Sequence, residues 1–199
     1  GGQILDDLLA PGISSLTTFN IPDLSLEIPR SKAWLSNHFV NSAIGPRYVD
    51  RWKQTAITFM FRTEIALREY ECARLDTLAF LAASSPGRPA WRRYFEAVSR
   101  WEVVVLNVQI ALDLYWNVIN PSDEAVARED PIHKLGNRIK HFGEDIRQGK
   151  NSADLTIPIW LTANALLART AEVTFEHLAD SLREMAKAAD ILEQPGHPG

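Results

Sequence analysis

Cysteine is almost absent from this chain of 199 residues, because Cys72 is the only one. A single cysteine excludes a disulfide framework within the chain and favours a reduced, cytoplasmic setting. Cys72 lies inside a helical pattern, whereas reactive thiols need an exposed and electropositive setting. We therefore expect Cys72 to be a small core residue rather than a nucleophile.

An excess of basic residues is also missing, since 21 Lys and Arg face 25 Asp and Glu, giving a net charge of -4. This balance argues against tight, sequence-independent nucleic-acid binding through the global field, although it permits a local basic patch. Long apolar runs are lacking too. The most apolar stretch, 103–119, is interrupted by Asn107, Gln109 and Asp113. It predicts a buried helix of a soluble protein and no membrane association.

The sequence contains none of the common motifs for nucleotide binding or hydrolysis. There is no P-loop, no G-x-G-x-x-G and no G-x-S-x-G. His38, His133 and His177 show no metal-ligand spacing, so we predict no metal and no other cofactor.

Hydrophobic periodicity predicts two long helices, over residues 47–83 and 89–119. Ser-Ser-Pro-Gly at 84–87 ends the first, and Pro89 is favourable in the first turn of the second. Two helices of this length with so short a link must pack as an antiparallel hairpin. Trp101 lies in the middle of the apolar face, which also includes Trp52, Tyr94, Phe95 and Leu78.

Two shorter helices are predicted over 131–147 and 174–192, with a small β-hairpin at 156–169 between them. The fold class is therefore all-α, an antiparallel bundle of four to five helices built on one long helical hairpin. A hydrophobic content of 46% in a chain of this length indicates a single core. We assign residues 47–193 to this helical domain and 194–199 to a tail.

Residues 1–46 form the least regular part of the sequence. Prolines punctuate the segment, and four apolar residues alternate with polar ones, which is typical of an extended strip: Ile21, Leu24, Leu26 and Ile28. We interpret this segment as an N-terminal arm that docks either on its own domain or on a partner protein.

The stretch 133–150 carries the most distinctive polar pattern. An apolar stripe runs along one side of the predicted helix, through Ile132, Leu135, Ile139, Phe142 and Ile146. At about 100° per residue, His141 projects almost opposite that stripe, and Arg138 lies one turn earlier, near enough to share a ligand. Two interpretations follow. His141 is a functional imidazole, or it belongs to a solvated face beside Glu144 and Asp145.

The order of two long helices, a shorter helix with an Asn-x-x-x-His turn and a last helix resembles the HEPN superfamily (higher eukaryotes and prokaryotes nucleotide-binding). The segments NRIKHFGEDI, IPIWLT and TFEHLADSL are similar to those of uncharacterised bacterial HEPN-like proteins. The resemblance covers residues 47–193. It implies a homodimer and a metal-independent ribonuclease, in which an Arg-x(4–6)-His motif from each protomer meets in a shared cleft.

The common form of that motif is Arg-Asn-x-x-x-His. Asn137 and His141 match it, but Gly136 stands at the arginine position. The resemblance therefore implies catalytic roles for His141 and Asn137, with Arg138 or Lys134 standing in for the missing cation. A literal match, Arg128 with His133, is of the kind expected by chance.

Asp113 is the other candidate, because an acid within an apolar helix needs a partner or a site. It contacts the substrate, as Lys134 would, or it pairs with a lysine or arginine of a neighbouring helix. Two classes of function follow. One is a HEPN-like RNA-directed protein of a bacterial defence or toxin–antitoxin system, active or decayed. The other is a non-enzymatic helical interaction module.

Overall fold

The computed structural model describes residues 6, 12–29, 32–45, 48, 50–116, 129–150 and 156–194. Short 3-10 turns at Ile13–Ser15 and Leu24–Leu26 precede the regular elements. The described helices and strands, in chain order, are α1 (Trp34–Ile44), α2 (Asp50–Ala83), α3 (Trp91–Leu114), α4 (Pro131–Arg147), β1 (Trp160–Leu161), β2 (Ala165–Ala168), β3 (Ala171–Thr174) and α5 (Phe175–Leu192).

Helices α2 and α3 form an antiparallel pair. Arg62 of α2 donates to Asn107 of α3 at 3.0 Å, and the indole of Trp101 donates to Thr77 at 3.0 Å. The earlier residue of α2 thus pairs with the later residue of α3, as an antiparallel hairpin requires. The link turns at Gly87, whose φ of 74° suits a residue without a Cβ. The structure confirms a mainly helical fold. The α-helical part of α3 ends at Leu114, and residues 117–119 of the predicted helix lie outside the described residues.

The core is centred on Trp101, which is 0% exposed. Its ring lies 5.3 Å from the ring of Tyr70 on α2 and 5.1 Å from that of Phe175 on α5. Three helices therefore meet around one aromatic side chain. Trp52 and Phe95, which the periodicity placed on the core face, are each 39% exposed. The apolar stripes of α2 and α3 are wider than the surface that their neighbours cover.

A three-stranded antiparallel sheet of order β1-β2-β3 adjoins the helices. Trp160 pairs with Leu167, and Ala165 pairs with Thr174. The predicted hairpin at 156–169 therefore forms part of a meander whose third strand was not predicted. The amide of Leu161 donates to the Tyr94 hydroxyl at 3.1 Å and so ties β1 to α3.

The N-terminal arm docks on its own chain. The Tyr70 hydroxyl donates to the carbonyl of Pro22 at 3.0 Å, and Arg74 pairs with Asp23 at 2.8 Å. Arg183 of α5 holds Glu27 through two hydrogen bonds of 2.7 and 2.9 Å. Leu24 is buried between these anchors at 3% exposure. Of the two alternatives for this arm, docking in cis is the one observed.

Helix α1 continues this attachment. Asp190 of α5 accepts from the indole of Trp34 at 2.8 Å and from Lys32 at 2.6 Å. Glu64 of α2 accepts from the backbone amide of Leu35 at 2.9 Å, in the first turn of α1. The arm and α1 are therefore part of the folded unit that contains α2 and α5. The predicted boundary near residue 46 does not separate two independent parts.

Replacing Trp101 with alanine should lower the free energy of unfolding by about 3–5 kcal/mol, because a large ring is removed from the centre of the core. Trp52→Ala is the matched control, since that ring is 39% exposed, and it should cost less than about 1 kcal/mol. Urea unfolding followed by circular dichroism measures both. Equal losses for the two variants would contradict the assignment of the core.

His38 of α1 should make stability depend on pH. Its side chain is 2% exposed and its ring stacks on Tyr48 at 5.6 Å. Burial lowers the pKa of His38 below its ordinary value; the backbone of Leu192 opposes this in part, and the nearby Lys53 adds a smaller lowering effect. The unfolded chain therefore binds a proton at higher pH than the folded chain does.

The contribution of neutral His38 to stability should thus be complete above about pH 6.5, and the free energy of unfolding should fall as the solution is acidified. His38→Gln removes this titration, so its stability should decline less over the same range. Urea unfolding between about pH 5 and pH 7.5 makes the comparison. Parallel curves for the wild type and the variant would count against a buried neutral His38.

Candidate functional site

Helix α4 carries the predicted site residues, and its first turn is well anchored. The carboxylate of Asp130 caps the helix by accepting from the amide of Ile132 at 2.7 Å. Ile132 and Leu135 are 0% exposed, whereas Ile146 is 54% exposed. The predicted apolar stripe is thus buried only in its first half. The second half of α4 lies at the surface of the described structure.

His141 projects from this second half. Its side chain is 62% exposed, and Nδ1 lies 3.8 Å from a carboxylate oxygen of Glu144. This placement agrees with a helix face opposite the buried stripe. The imidazole is accessible to a ligand, to a second copy of the chain or to water.

Arg138 does not join His141 in a common site. Its guanidinium forms an ion pair with Asp145, and both side chains are largely buried, at 14% and 18% exposure. The same guanidinium lies 5.5 Å from the centre of the Phe142 ring. The positive charge of Arg138 is therefore balanced by Asp145 of the same helix. The cation that the sequence offered as a replacement for the missing arginine is already engaged.

Asn137 faces α3 rather than solvent. Its side-chain oxygen accepts from Nε2 of Gln109 at 2.9 Å, and the same Nε2 lies 3.4 Å from the carbonyl of His133. Gln109 is 1% exposed. Asn137 therefore serves as a hydrogen-bond partner between two helices, and its amide oxygen is not available to a substrate.

Gly136 is buried directly beneath Gln109. A Cβ atom built on this glycine would lie 2.2 Å from Oε1 of Gln109 and 2.7 Å from its Cδ. These separations are shorter than any real contact, so even alanine requires Gln109 to move. The position at which the HEPN resemblance expects an arginine is thus filled by a glutamine from the neighbouring helix.

Asp113 has a partner that the sequence did not suggest. Its carboxylate lies 3.1 Å from Nδ1 of His133, and the side chains are 37% and 26% exposed. The prediction that a lysine or arginine pairs with Asp113 is therefore wrong. The partner is the histidine previously set aside as a chance match.

A signal for this contact was present in the sequence. Gln109 and Asp113 are four residues apart in the most apolar stretch of the chain, and His133 and Asn137 have the same spacing on the next helix. Residues at this spacing lie on one side of a helix, one turn apart. The spacing within the two pairs is equal, so both residues of one pair can contact both residues of the other when the two helices pack antiparallel. We call these four residues the polar seam.

Lys134 lies on the exposed side of α4. Its amine donates to Glu129 at 2.7 Å, with the two side chains 48% and 80% exposed. This hydrogen bond lowers the pKa of the Glu129 carboxyl. An exposed pair of this kind breaks readily when a stronger anion arrives, because surface ion pairs contribute little free energy. Lys134 is thus a surface cation without a fixed role in the fold.

The described residues do not assemble a complete catalytic site. His141 is exposed, Arg138 belongs to an ion pair and Asn137 belongs to the polar seam. No group of three or more His, Cys, Asp or Glu side chains among the residues in the structure could hold a metal ion. Along the part of the chain that is described, an imidazole and a surface lysine on one helix face are what a ligand would meet.

Comparison with known proteins adds no assignment. No family model matches this chain, and neither a curated protein nor a solved structure shows significant similarity to it. None of the described helices is long and apolar enough to span a membrane.

Two glycines of α4 allow the packing against Gln109 to be tested. Gly143 has nothing within 4 Å of the Cβ that alanine would add. Gly143→Ala should therefore stabilise the protein by about 0.5–1 kcal/mol, the usual gain in helix propensity. Gly136→Ala brings the same gain in helix propensity, but overpacking against Gln109 costs about 1–3 kcal/mol. This variant should therefore be less stable than the wild type.

Urea unfolding of both variants gives the difference directly. Adding Gln109→Ala to Gly136→Ala should recover part of the loss, because the added methyl group then has room. Equal stabilisation by the two glycine replacements would show that Gln109 does not press on Gly136.

Proposed function

We propose that this chain is a HEPN-like RNA-directed protein of a bacterial defence or toxin–antitoxin system, acting in the cytoplasm as a homodimer. In this proposal the chain has lost the ribonuclease activity of the family but retains weak RNA binding. The order of elements supports it: a long helical hairpin is followed by a shorter helix that carries Asn137 and His141, within a helical bundle.

The observation that carries the proposal of decay is the packing of Gln109 on Gly136. A metal-independent ribonuclease needs a cation to steady the phosphate while charge develops on it. At the expected arginine position, the buried glycine and the glutamine above it leave no room for such a side chain. Arg138 is the nearest substitute in sequence, and it is held by Asp145. The proposed ribonuclease site therefore has its histidine but lacks the cation that would stabilise the phosphate.

Dimerisation supplies the rest of the proposed site. A two-fold axis beside the exposed face of α4 would bring two copies of His141 and Lys134 around one cleft. Low-dielectric walls focus the field of such a cleft, so RNA can be attracted although the net charge is -4. Because Asp145 matches Arg138, the field should be modest. We therefore expect weak and salt-sensitive association.

A second candidate function is a non-enzymatic interaction module. Its specific support is a row of exposed apolar side chains on α1, where Phe39, Val40 and Ile44 are 54%, 58% and 85% exposed. Exposed apolar clusters mark contact surfaces for other proteins. This function predicts no RNA binding at all, which separates it from the first.

RNA binding and cleavage should be measured together on the purified protein in the presence of a chelator. We expect a dimer by light scattering, RNA binding by fluorescence anisotropy that weakens steeply with salt, and little or no cleavage. Lys134→Ala and His141→Ala should weaken the binding. Lys187→Ala is the matched control, because Lys187 also pairs with a glutamate at 2.7 Å but lies on α5.

Three results would contradict the proposal. A strict monomer removes the composite cleft. Equal losses for Lys134→Ala and Lys187→Ala would show nonspecific attraction rather than a site on α4. Strong cleavage that survives His141→Ala would refute the assignment of the site, even in a nuclease.

A further inference from the structure

A well-defined cavity lies between the N-terminal arm and α2, away from α4. Its volume is about 360 Å³, within the range of about 300–1,000 Å³ that small-molecule sites occupy. We propose that it binds a small amphipathic carboxylate, with the apolar body on the floor of the cavity and the carboxylate on Arg68. This inference does not depend on the proposed function.

The floor of the cavity is apolar and rigid. Leu24, Trp34 and Tyr70 line it and are only 1–3% exposed. The indole of Trp34 donates to Asp190, and the hydroxyl of Tyr70 donates to the carbonyl of Pro22. Their polar atoms are therefore already satisfied by the fold. Leu67 and Ile28 extend the apolar wall, so a hydrocarbon chain or a ring would fit against this surface.

Most of the charged side chains that line the cavity are engaged. Lys32 donates to Asp190 at 2.6 Å, and Glu71 accepts from Arg74 at 3.0 Å. Glu64 accepts from the backbone amide of Leu35 at 2.9 Å. The contacts of Lys32 and Glu64 hold α1 and the residues before it in place, whereas that of Glu71 lies within α2. A ligand that displaced them would also displace one wall of its own site.

Arg68 differs from these residues. Its side chain is 66% exposed, and its contact is a 3.3 Å hydrogen bond from Nε to the adjacent Glu69. Its two terminal amino groups donate to no acceptor in the described part of the chain. A guanidinium offers two parallel N–H groups that match a carboxylate. The guanidinium of Arg68 therefore offers hydrogen-bond donors that the described fold does not use, and it lies beside an apolar floor.

One arginine favours a monocarboxylate over a phosphate. A phosphate carries more charge and more oxygen atoms than Arg68 can satisfy, and the remaining oxygens would face apolar side chains. A carboxylate uses both of its oxygens on the guanidinium. Fatty acids of medium chain length and aryl carboxylates have this chemistry.

Cys72 allows the binding to be measured directly. Cys72 is partly exposed rather than a core residue as the sequence suggested, it lines the cavity one helical turn after Arg68, and it is the only cysteine of the chain. Alkylation of the protein by N-ethylmaleimide therefore reports on this site alone. Decanoate, decylamine and decanol, each below its critical micelle concentration, vary the charge at a constant chain length. Isothermal titration calorimetry measures the same binding without relying on the thiol.

We expect decanoate to bind and to slow the alkylation of Cys72, and decylamine to do neither. Arg68→Gln should weaken decanoate binding about tenfold or more, the usual effect of losing a charged hydrogen-bonding partner. Leu67→Trp should abolish it by filling the cavity. Arg92→Gln is the matched control, since Arg92 is also an exposed helical arginine next to a glutamate, and it lies outside the cavity.

Any of three outcomes would overturn the proposal. Decanoate that gives neither heat of binding nor protection of Cys72 shows that the cavity takes no such ligand. Equal binding of all three compounds, or decanoate binding that both Arg68→Gln and Leu67→Trp leave unchanged, shows that the chemistry or the location is wrong. RNA binding by α4 is measured separately, so failure here leaves the proposed function standing.

Discussion

The side chain of Gln109 determines how α4 lies against the helical hairpin. Its carbon chain and oxygen rest on the bare backbone of Gly136, and its amide nitrogen reaches Asn137. A buried amide without partners is costly, so these contacts must be kept once the helices have met. They set the closest approach of α3 and α4, and they turn His133 toward Asp113. The opposite side of α4, with Lys134 and His141, is left facing outward.

This packing changes the chemistry that the sequence pattern implied. Three residues expected to cooperate are distributed among three different environments: Asn137 in an interhelical contact, Arg138 in an ion pair and His141 in solvent. The helix period predicts only the angle at which a side chain leaves the axis. It does not predict with which neighbouring residue that side chain forms a hydrogen bond or an ion pair. Long polar side chains form such contacts most readily, because they can reach several partners.

The fold was predictable where local signals are strong. The end of α2 at Ala83 follows from Ser-Ser-Pro-Gly, and α4 begins at Pro131, where the capping Asp130 and a first-turn proline coincide. The strand β3 was not predictable in this way, because it has four residues and leads directly into α5. Short strands are defined by their partners rather than by their own composition.

The site was predictable only in part, for a related reason. His141 was correctly placed opposite the buried stripe, since that depends on the helix period alone. The partner of Asp113 depends on the register between α3 and α4, which the residues between them do not encode in any simple pattern. The two polar pairs of the seam carry that register, but they can be matched only when both helices are considered together.

The attachment of the N-terminal arm has a consequence for how the protein is made. Glu27 is held by Arg183 and Lys32 by Asp190, across sequence separations of 156 and 158 residues. During synthesis the arm leaves the ribosome before α5, the helix that holds it, has been made. Contacts between residues so far apart in sequence are slow to form. The nascent chain must therefore carry Leu24 and Trp34 without their final cover until α5 has been translated.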